Sequence, residues 1–268
     1  MKRSLGGAVV AISGAGGGLG RALAQRFGRA GSRLVLLDRD ATSVGVAGEQ
    51  LTAAGIDALA LPCDVTDERA CAEVVERAVE RFGRLDVVVN NAGITHRSAF
   101  EATQTEVLRR VMEVNLFGAI HLTRAALPHL KATHGLIVAL SSVAGFTPLI
   151  ARTGYSASKH AMHGFFESLR TELATDGVGV MLVCPSFIAT GIDRNALGPT
   201  GGAATHAQVV VGRRLQPDEV AERVVRGAER DKRLLLVGRT AHAAWWVSRI
   251  APGFYERVMA RKLRGEML

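Results

Sequence analysis

Seven short stretches of this chain are apolar at almost every position, and between them the apolar residues recur every three or four. The short runs fall near residues 8–13, 33–37, 58–62, 86–90, 135–141, 178–184 and 233–237. Within Leu34-Val35-Leu36-Leu37 or Val87-Val88-Val89 no polar residue alternates with the apolar ones, so a strand built from either has no face to offer water. Such strands must be covered on both sides. The longer stretches, such as Leu19 to Phe27, keep the helical period. Strand and helix in alternation predict an α/β fold, a doubly wound parallel seven-stranded sheet with helices on both faces.

With 268 residues, 48% of them hydrophobic, the chain can bury a large core in one domain. That domain is expected over 1–238, with 239–268 as a C-terminal amphipathic helical extension. No tandem repeat, coiled coil or charged low-complexity tract interrupts it. The net charge of +8 raises nucleic-acid binding as a class, but the basic residues are mixed with acidic ones along most of the chain, without an aromatic and basic stacking platform. No nucleic-acid partner is expected. Basic residues concentrate only at the end, where Arg239, Arg249, Arg257, Arg261, Lys262 and Arg264 face Glu256 and Glu266. There Trp245, Trp246, Phe254 and Tyr255 are interleaved with them, and Pro252-Gly253 breaks the segment, so residues 240–264 suit peripheral contact with an anionic membrane or packing on the body, not a transmembrane span.

Cys63, Cys71 and Cys184 are odd in number and lack C-x-x-C spacing, as in a chain kept reduced, where each serves as a small apolar residue. Met1-Lys2-Arg3-Ser4-Leu5 runs into the first strand without an apolar signal segment, and the expected location is the cytoplasm. His160 and His163 lie three apart on one predicted helix and are expected on its surface or at an interface, and no metal is expected.

Two features carry chemistry. The run Ala8 to Ser13 enters a cluster with Gly14, Gly18 and Gly20, from which a helical pattern leaves through Leu19. Strand, glycine turn and helix form a pyrophosphate site, because bare backbone admits the ligand against a helix N-terminus. Farther on, Tyr155 and Lys159 lie four apart on a predicted helix, and Ser142 precedes them. Spacing of four puts an ammonium beside a phenol on one helix face. A tyrosine with an ordinary pKa of ~10 is too weak a base at neutral pH without such a charge. Ser142 is placed to hydrogen-bond the same substrate oxygen. At the end of the second strand, Asp38 sits where a carboxylate accepts hydrogen bonds from adenosine ribose hydroxyls, which favours NAD, while Arg39 beside it leaves NADP open.

The glycine spacing and the Tyr, Lys and Ser set resemble the short-chain dehydrogenase/reductase family, in its single-domain branch, over about residues 5–238. The resemblance implies a Rossmann-type domain and an NAD(P)-dependent oxidoreductase, an alcohol dehydrogenase or carbonyl reductase. It further implies that Asp64 and Val65 contact adenine, that Asn91, Ala92 and Gly93 form a cofactor-binding turn, and that Pro185, Ile188 and Thr190 contact nicotinamide. Asn115 takes the place of the family's helix asparagine, whose distorted backbone holds a proton-relay water. The implied catalytic set is Asn115, Ser142, Tyr155 and Lys159, with Tyr155 and Lys159 also touching cofactor. Ser142, Tyr155, Leu149 and His96 are the implied substrate contacts, under a lid of about residues 190–216 that is expected to be mobile without ligand. The apolar run Val143 to Ile150 suits a lipophilic secondary alcohol or ketone, and Arg152 near the mouth reads as a solvated loop residue. One departure is Pro185-Ser186, where the family commonly has Pro-Gly; serine fits there only at negative φ. A homodimer or homotetramer is implied. Alternative readings are a 3-oxoacyl-thioester reductase and a non-catalytic nucleotide-binding regulatory protein.

Overall fold

The computed structural model describes residues 3–193, 195–205 and 208–267. Its strands are β1 (Val9–Ser13), β2 (Arg33–Asp38), β3 (Ala58–Pro62), β4 (Val87–Asn90), β5 (Leu136–Leu140), β6 (Gly179–Pro185) and β7 (Leu234–Val237). Each lies within one residue of its expected bounds. They form one parallel sheet in the order β3-β2-β1-β4-β5-β6-β7. The helices are α1 (Gly18–Arg29), α2 (Ala41–Ala53), α3 (Glu68–Phe82), α4 (Thr105–Met112), α5 (Gly118–Thr133), α6 (Thr153–Glu172), α7 (Pro217–Glu229), α8 (Arg239–Ile250) and α9 (Pro252–Lys262).

The unbroken apolar strands are explained by two cores. Val10, Ile12, Leu34, Leu36 and Val89 face Leu23 and Phe27 of α1 and Val224 of α7. Val9, Ala11, Val35, Leu37 and Val88 face the other way, toward Val75 of α3, Leu122 of α5 and Phe166 of α6. Alternate residues of one strand thus enter opposite cores. Local signals place the ends of the covering helices. The Asp40 and Asp67 carboxylates cap α2 and α3 by accepting from the second and third backbone N–H groups of each helix, and Gly83 closes α3 at φ 76°. Asp86, held by Arg84, accepts from the Val9 backbone N–H at 2.8 Å and ties the entry of β1 to that of β4.

Because β1 lies between β2 and β4, the chain leaves it to one side and later continues on the other. The crevice at such a switch point lies beyond the carboxyl ends of the strands, and that is where ligands bind in open parallel sheets. Beyond β7, Gly238 at φ 97° turns the chain into α8 and α9. Ala244, Tyr255, Met259 and Leu263 from this pair form a third apolar cluster, packed on Phe146 and Leu149 after β5 and on Val209 and Val211.

Candidate active site

The glycine turn between β1 and α1 is shaped by what its neighbours leave room for. Gly14 adopts φ 66°, and a Cβ on Gly20 would lie 2.0 Å from the Gly14 carbonyl oxygen. Only glycine at both positions lets the first turn of α1 fold back on the loop, with its N–H groups and positive dipole end facing the crevice. The loop is braced from both sides. The Asn91 side chain donates to the Ser13 carbonyl at 2.9 Å and the Gly14 carbonyl at 3.2 Å. The Ser13 hydroxyl accepts from the backbone N–H groups of Asn91 and Ala92, each at 3.0 Å. On the far side Arg21 donates to the Gly16 and Ser43 carbonyls. Sequence reasoning passed over Ser13 and Arg21, since a serine closing a strand and an arginine on a helix surface carry no pattern of their own.

Asp38 ends β2 with one carboxylate oxygen accepting from the Gly16 N–H at 3.0 Å and the other from the Asp40 N–H at 3.1 Å. The carboxylate is therefore fixed at the rim of the glycine turn. A Cβ on Gly16 would press on both Asp38 and Ser43, so the absence of a side chain is what permits this approach.

The second half of the site gathers on α6. Ser142 follows β5 and caps a short 3₁₀ turn, its hydroxyl accepting from the Ala144 N–H at 3.1 Å, which leaves its own proton free to be donated. Lys159 is 5% exposed, and its ammonium donates to the Leu140 carbonyl at 2.7 Å while lying 5.8 Å from the centre of the Tyr155 ring. Burial lowers the Lys159 pKa to about 8, with the nearby Cys184 acting weakly in the opposite sense. Asn115 lies in a π-helical stretch, Glu113–Phe117, between α4 and α5. Its amide is fully used: the oxygen accepts from the Ile94 N–H at 2.8 Å, and the nitrogen donates to the Ile94 carbonyl at 3.0 Å and the Ser158 hydroxyl at 2.9 Å. Ser158 in turn donates to the Tyr155 carbonyl at 2.8 Å. Ser158 was not foreseen, and with Asn115 it links the turn after β4 to α6.

The glycine turn, Asp38, Ser142, Tyr155 and Lys159 face one cleft of about 910 Å³. Gly14, Gly18, Leu19, Gly20, Asp38, Arg39, Asp64 and Val65 line one end of the series of walls, with Asn91, Ala92 and Gly93 beside them. Ser142, Leu149, Tyr155, Lys159, Pro185, Ile188 and Thr190 complete it. A matched glycine cradle, a fixed carboxylate and a phenol paired with a buried ammonium fit a dinucleotide together with a second, smaller reactant. Residues 8–198 match the family model for short chain dehydrogenase. The chain belongs to the short-chain dehydrogenase family.

Among relatives of this short-chain dehydrogenase, the Dehydrogenase/reductase SDR family protein 7-like of Anopheles gambiae is 36% identical, over 97% of this chain and 84% of its own length. The Dehydrogenase/reductase SDR family member 7B of Bos taurus is 35% identical, over 97% and 82%. A crystal structure of a short chain dehydrogenase/reductase from Burkholderia phymatum in complex with NAD superposes with a TM-score of 0.84 at 26% identity, covering 94% of this chain and 96% of that one. The protein is thus an oxidoreductase of this family.

Three expectations change. His96 neither touches the cleft nor meets solvent: it is fully buried, and its Nε2 accepts from the Gly154 N–H at 2.9 Å. Accepting there requires the neutral ring, and burial, followed by the charge of Arg152, lowers its pKa to about 4. His96 is a positioning residue for the start of α6. Arg152 is not solvated but 4% exposed, in the cleft wall. Asn115 keeps the distorted helical backbone expected of it and lies behind the cleft wall. His163 is buried as well, 3.4 Å from Cys184 Sγ, where burial pushes the thiol up to about 12 and the imidazole down to about 4.

Ser186 departs from the family pattern without strain, because positive φ among non-glycine residues is confined to His134, Ala151 and Asp231 among the described residues. Of the expected lid, residues 194, 206 and 207 lie outside the described residues. Within the described part, Leu197 bonds through the backbone to Thr95 and Arg97, and Leu215 to Phe187 and Ala189. Tyr255 and Met259, from the C-terminal helices, also line the cleft. Nothing in the sequence pattern pointed to them, since their approach depends on how α9 folds back. Among the described residues no group of three potential metal ligands forms, and no helix is long and apolar enough to cross a membrane.

Proposed function

We propose that this oxidoreductase interconverts a lipophilic secondary alcohol and its ketone, with NAD as the preferred cofactor and Tyr155 as general acid and base. The observation that carries the reading is the buried Lys159 ammonium beside the Tyr155 ring, in the same cleft as Ser142 and the glycine turn. The backbone of Gly14 to Gly20 would hold the pyrophosphate at the N-terminus of α1, and Asp38 would accept from the adenosine ribose hydroxyls. A phosphate on the 2′ oxygen would meet that carboxylate and be repelled. Bound in this way, nicotinamide supplies the hydride acceptor or donor.

During oxidation Tyr155 takes the hydroxyl proton from the alcohol, and during reduction it returns a proton to the carbonyl oxygen. Ser142 donates to that same oxygen and fixes its distance from the phenol. Lys159 holds the phenolate form by its charge and would donate to a ribose hydroxyl of the cofactor. Asn115, bonded to Ile94 and Ser158, keeps the backbone of the relay segment fixed. The π-helical turn at Glu113–Phe117 breaks the regular helical bonding and so frees backbone groups for a water. Val143, Leu149, Phe187, Ile192, Leu197 and Met259 make the substrate wall largely apolar, which supports a lipophilic substrate over a sugar.

A panel of secondary alcohols, ketones and a 3-oxoacyl thioester, assayed with both oxidised and both reduced nicotinamide cofactors, tests the reading. Turnover of lipophilic alcohols or ketones, with better kcat/KM for the NAD pair, is expected. Turnover confined to the thioester with NADPH would replace it by a 3-oxoacyl-thioester reductase, and cofactor binding without turnover of any carbonyl would point to a regulatory role.

A further inference from the structure

The paired helices α8 and α9 have two unlike faces. One is apolar and buried: Ala244, Tyr255, Met259 and Leu263 close over the loop that follows Ser142. The other carries Trp246, Ile250 and Phe254, which are 62%, 77% and 57% exposed. Trp246 and Ile250 are one turn apart on α8, and Phe254 lies in the first turn of α9. These three are half of the large hydrophobic side chains exposed among the described residues, gathered within nine positions of the sequence. Isolated exposed apolar residues need no explanation, but such a cluster on one face does.

The surroundings of the cluster are basic. Arg249, Arg257, Arg261, Lys262 and Arg264 are all exposed, with Glu256 the single exposed acidic side chain described in either helix. Residues 239–268 carry six basic and two acidic residues, a net +4, which is half the +8 of the whole chain. Arg249 is drawn over the Trp245 ring, 3.2 Å from its centre, and donates to the Trp245 carbonyl. A second copy of the chain meeting this face in a two-fold contact would bring two such basic sets together and be repelled. An anionic lipid surface attracts both parts of the face at once, taking the aromatic and aliphatic side chains into the headgroup boundary and the arginines and lysine against phosphate.

We propose that α8 and α9 dock this protein on the surface of anionic phospholipid membranes, through Trp246, Ile250 and Phe254 and the basic residues around them. Neither helix is long and apolar enough to cross a bilayer, so the contact is peripheral. Docking places the helix pair whose inner face supplies Tyr255 and Met259 to the cleft against the lipid surface. The docking itself does not depend on the proposed reaction.

The test is co-sedimentation of the full-length protein with vesicles of phosphatidylcholine alone and of phosphatidylcholine with phosphatidylserine, at low and high salt. The proposal requires binding at least about tenfold stronger to the anionic vesicles, reduced by salt. A blue shift of tryptophan fluorescence on those vesicles is expected, and it should be lost in Trp246→Phe. Two variants separate the contributions. Trp246→Ser with Ile250→Ser and Phe254→Ser should abolish vesicle binding, and Arg257→Gln with Arg261→Gln and Lys262→Gln should remove the preference for anionic lipid. Every one of these side chains is exposed, so circular dichroism should be unchanged. Wild-type protein left in the supernatant with both vesicle types overturns the proposal. So does a wild-type dimer in sedimentation velocity that the serine variant converts to monomer, because a second copy would then occupy this face.

Discussion

At the scale of single residues, Lys159 sets a measurable signature. Its pKa is lowered by burial from 10.5 to about 8, so the folded protein binds fewer protons here than the unfolded chain between those two values. Folding therefore gains from this group as pH rises through that window, and below about 8 the charged lysine opposes folding to its full extent. Stability of wild type relative to Lys159→Met should move in favour of wild type between about pH 8 and 10.5, measured by denaturant titration across that range. A difference that stays flat across the window would contradict the burial of a titrating amine. Asp38 gives a second signature. Its two carboxylate oxygens are aimed by the Gly16 and Asp40 N–H groups. Asp38→Ser should weaken NAD binding about ten- to hundredfold, as expected for loss of hydrogen bonds to a charged group, and bring NADP to parity or better through Arg39. Fluorescence titration with each cofactor reads both effects. Tighter NADP binding by wild type would remove Asp38 from this role.

At the scale of elements, the strands were legible because burial on both faces forces a continuous apolar run; the Asp40 and Asp67 caps of α2 and α3 emerge only with the backbone in place. The π-helical turn at Asn115 was legible only through resemblance, since Glu113 to Phe117 keeps an ordinary helical composition. His96 was misread for a related reason. Its place just after the Asn91 turn implied a substrate contact, and only when the start of α6 is placed against it does the Gly154 N–H require its ring as an acceptor. Glycine gives the sharpest contrast between elements that look alike in sequence. Gly20→Ala puts a Cβ 2.0 Å from the Gly14 carbonyl oxygen and cannot be accommodated without moving the loop. Gly45→Ala, in α2, meets nothing within 4 Å. Thermal unfolding should show Gly45→Ala more stable than wild type by roughly 0.5–1 kcal/mol, the helical preference of alanine, while Gly20→Ala loses stability together with cofactor binding. Equal behaviour of the two would mean that the glycine turn is not packed as described.

At the scale of the whole molecule, the cleft is assembled from residues spread between Gly14 and Met259, and the parallel sheet is what brings them together. With β1 between β2 and β4, the glycine turn, Asp38 and the turn at Asn91 open on the same side, and β5 and β6 deliver Ser142 and Pro185 to it. Motifs at the ends of strands were therefore readable in order along the chain. The contributions of Tyr255 and Met259 were not, because they depend on two helices turning back after Gly238, which no local pattern specifies. Proton transfer by Tyr155 is the central step of the proposed reaction in this cleft. The most direct measurement compares Tyr155→Phe with wild type on one confirmed alcohol or ketone, with cofactor affinity determined on the same preparations. The prediction is cofactor binding close to wild type with kcat lower by ~10²–10⁴-fold, the usual contribution of a general acid and base. Turnover above about a tenth of wild type, with cofactor bound equally well, would contradict it.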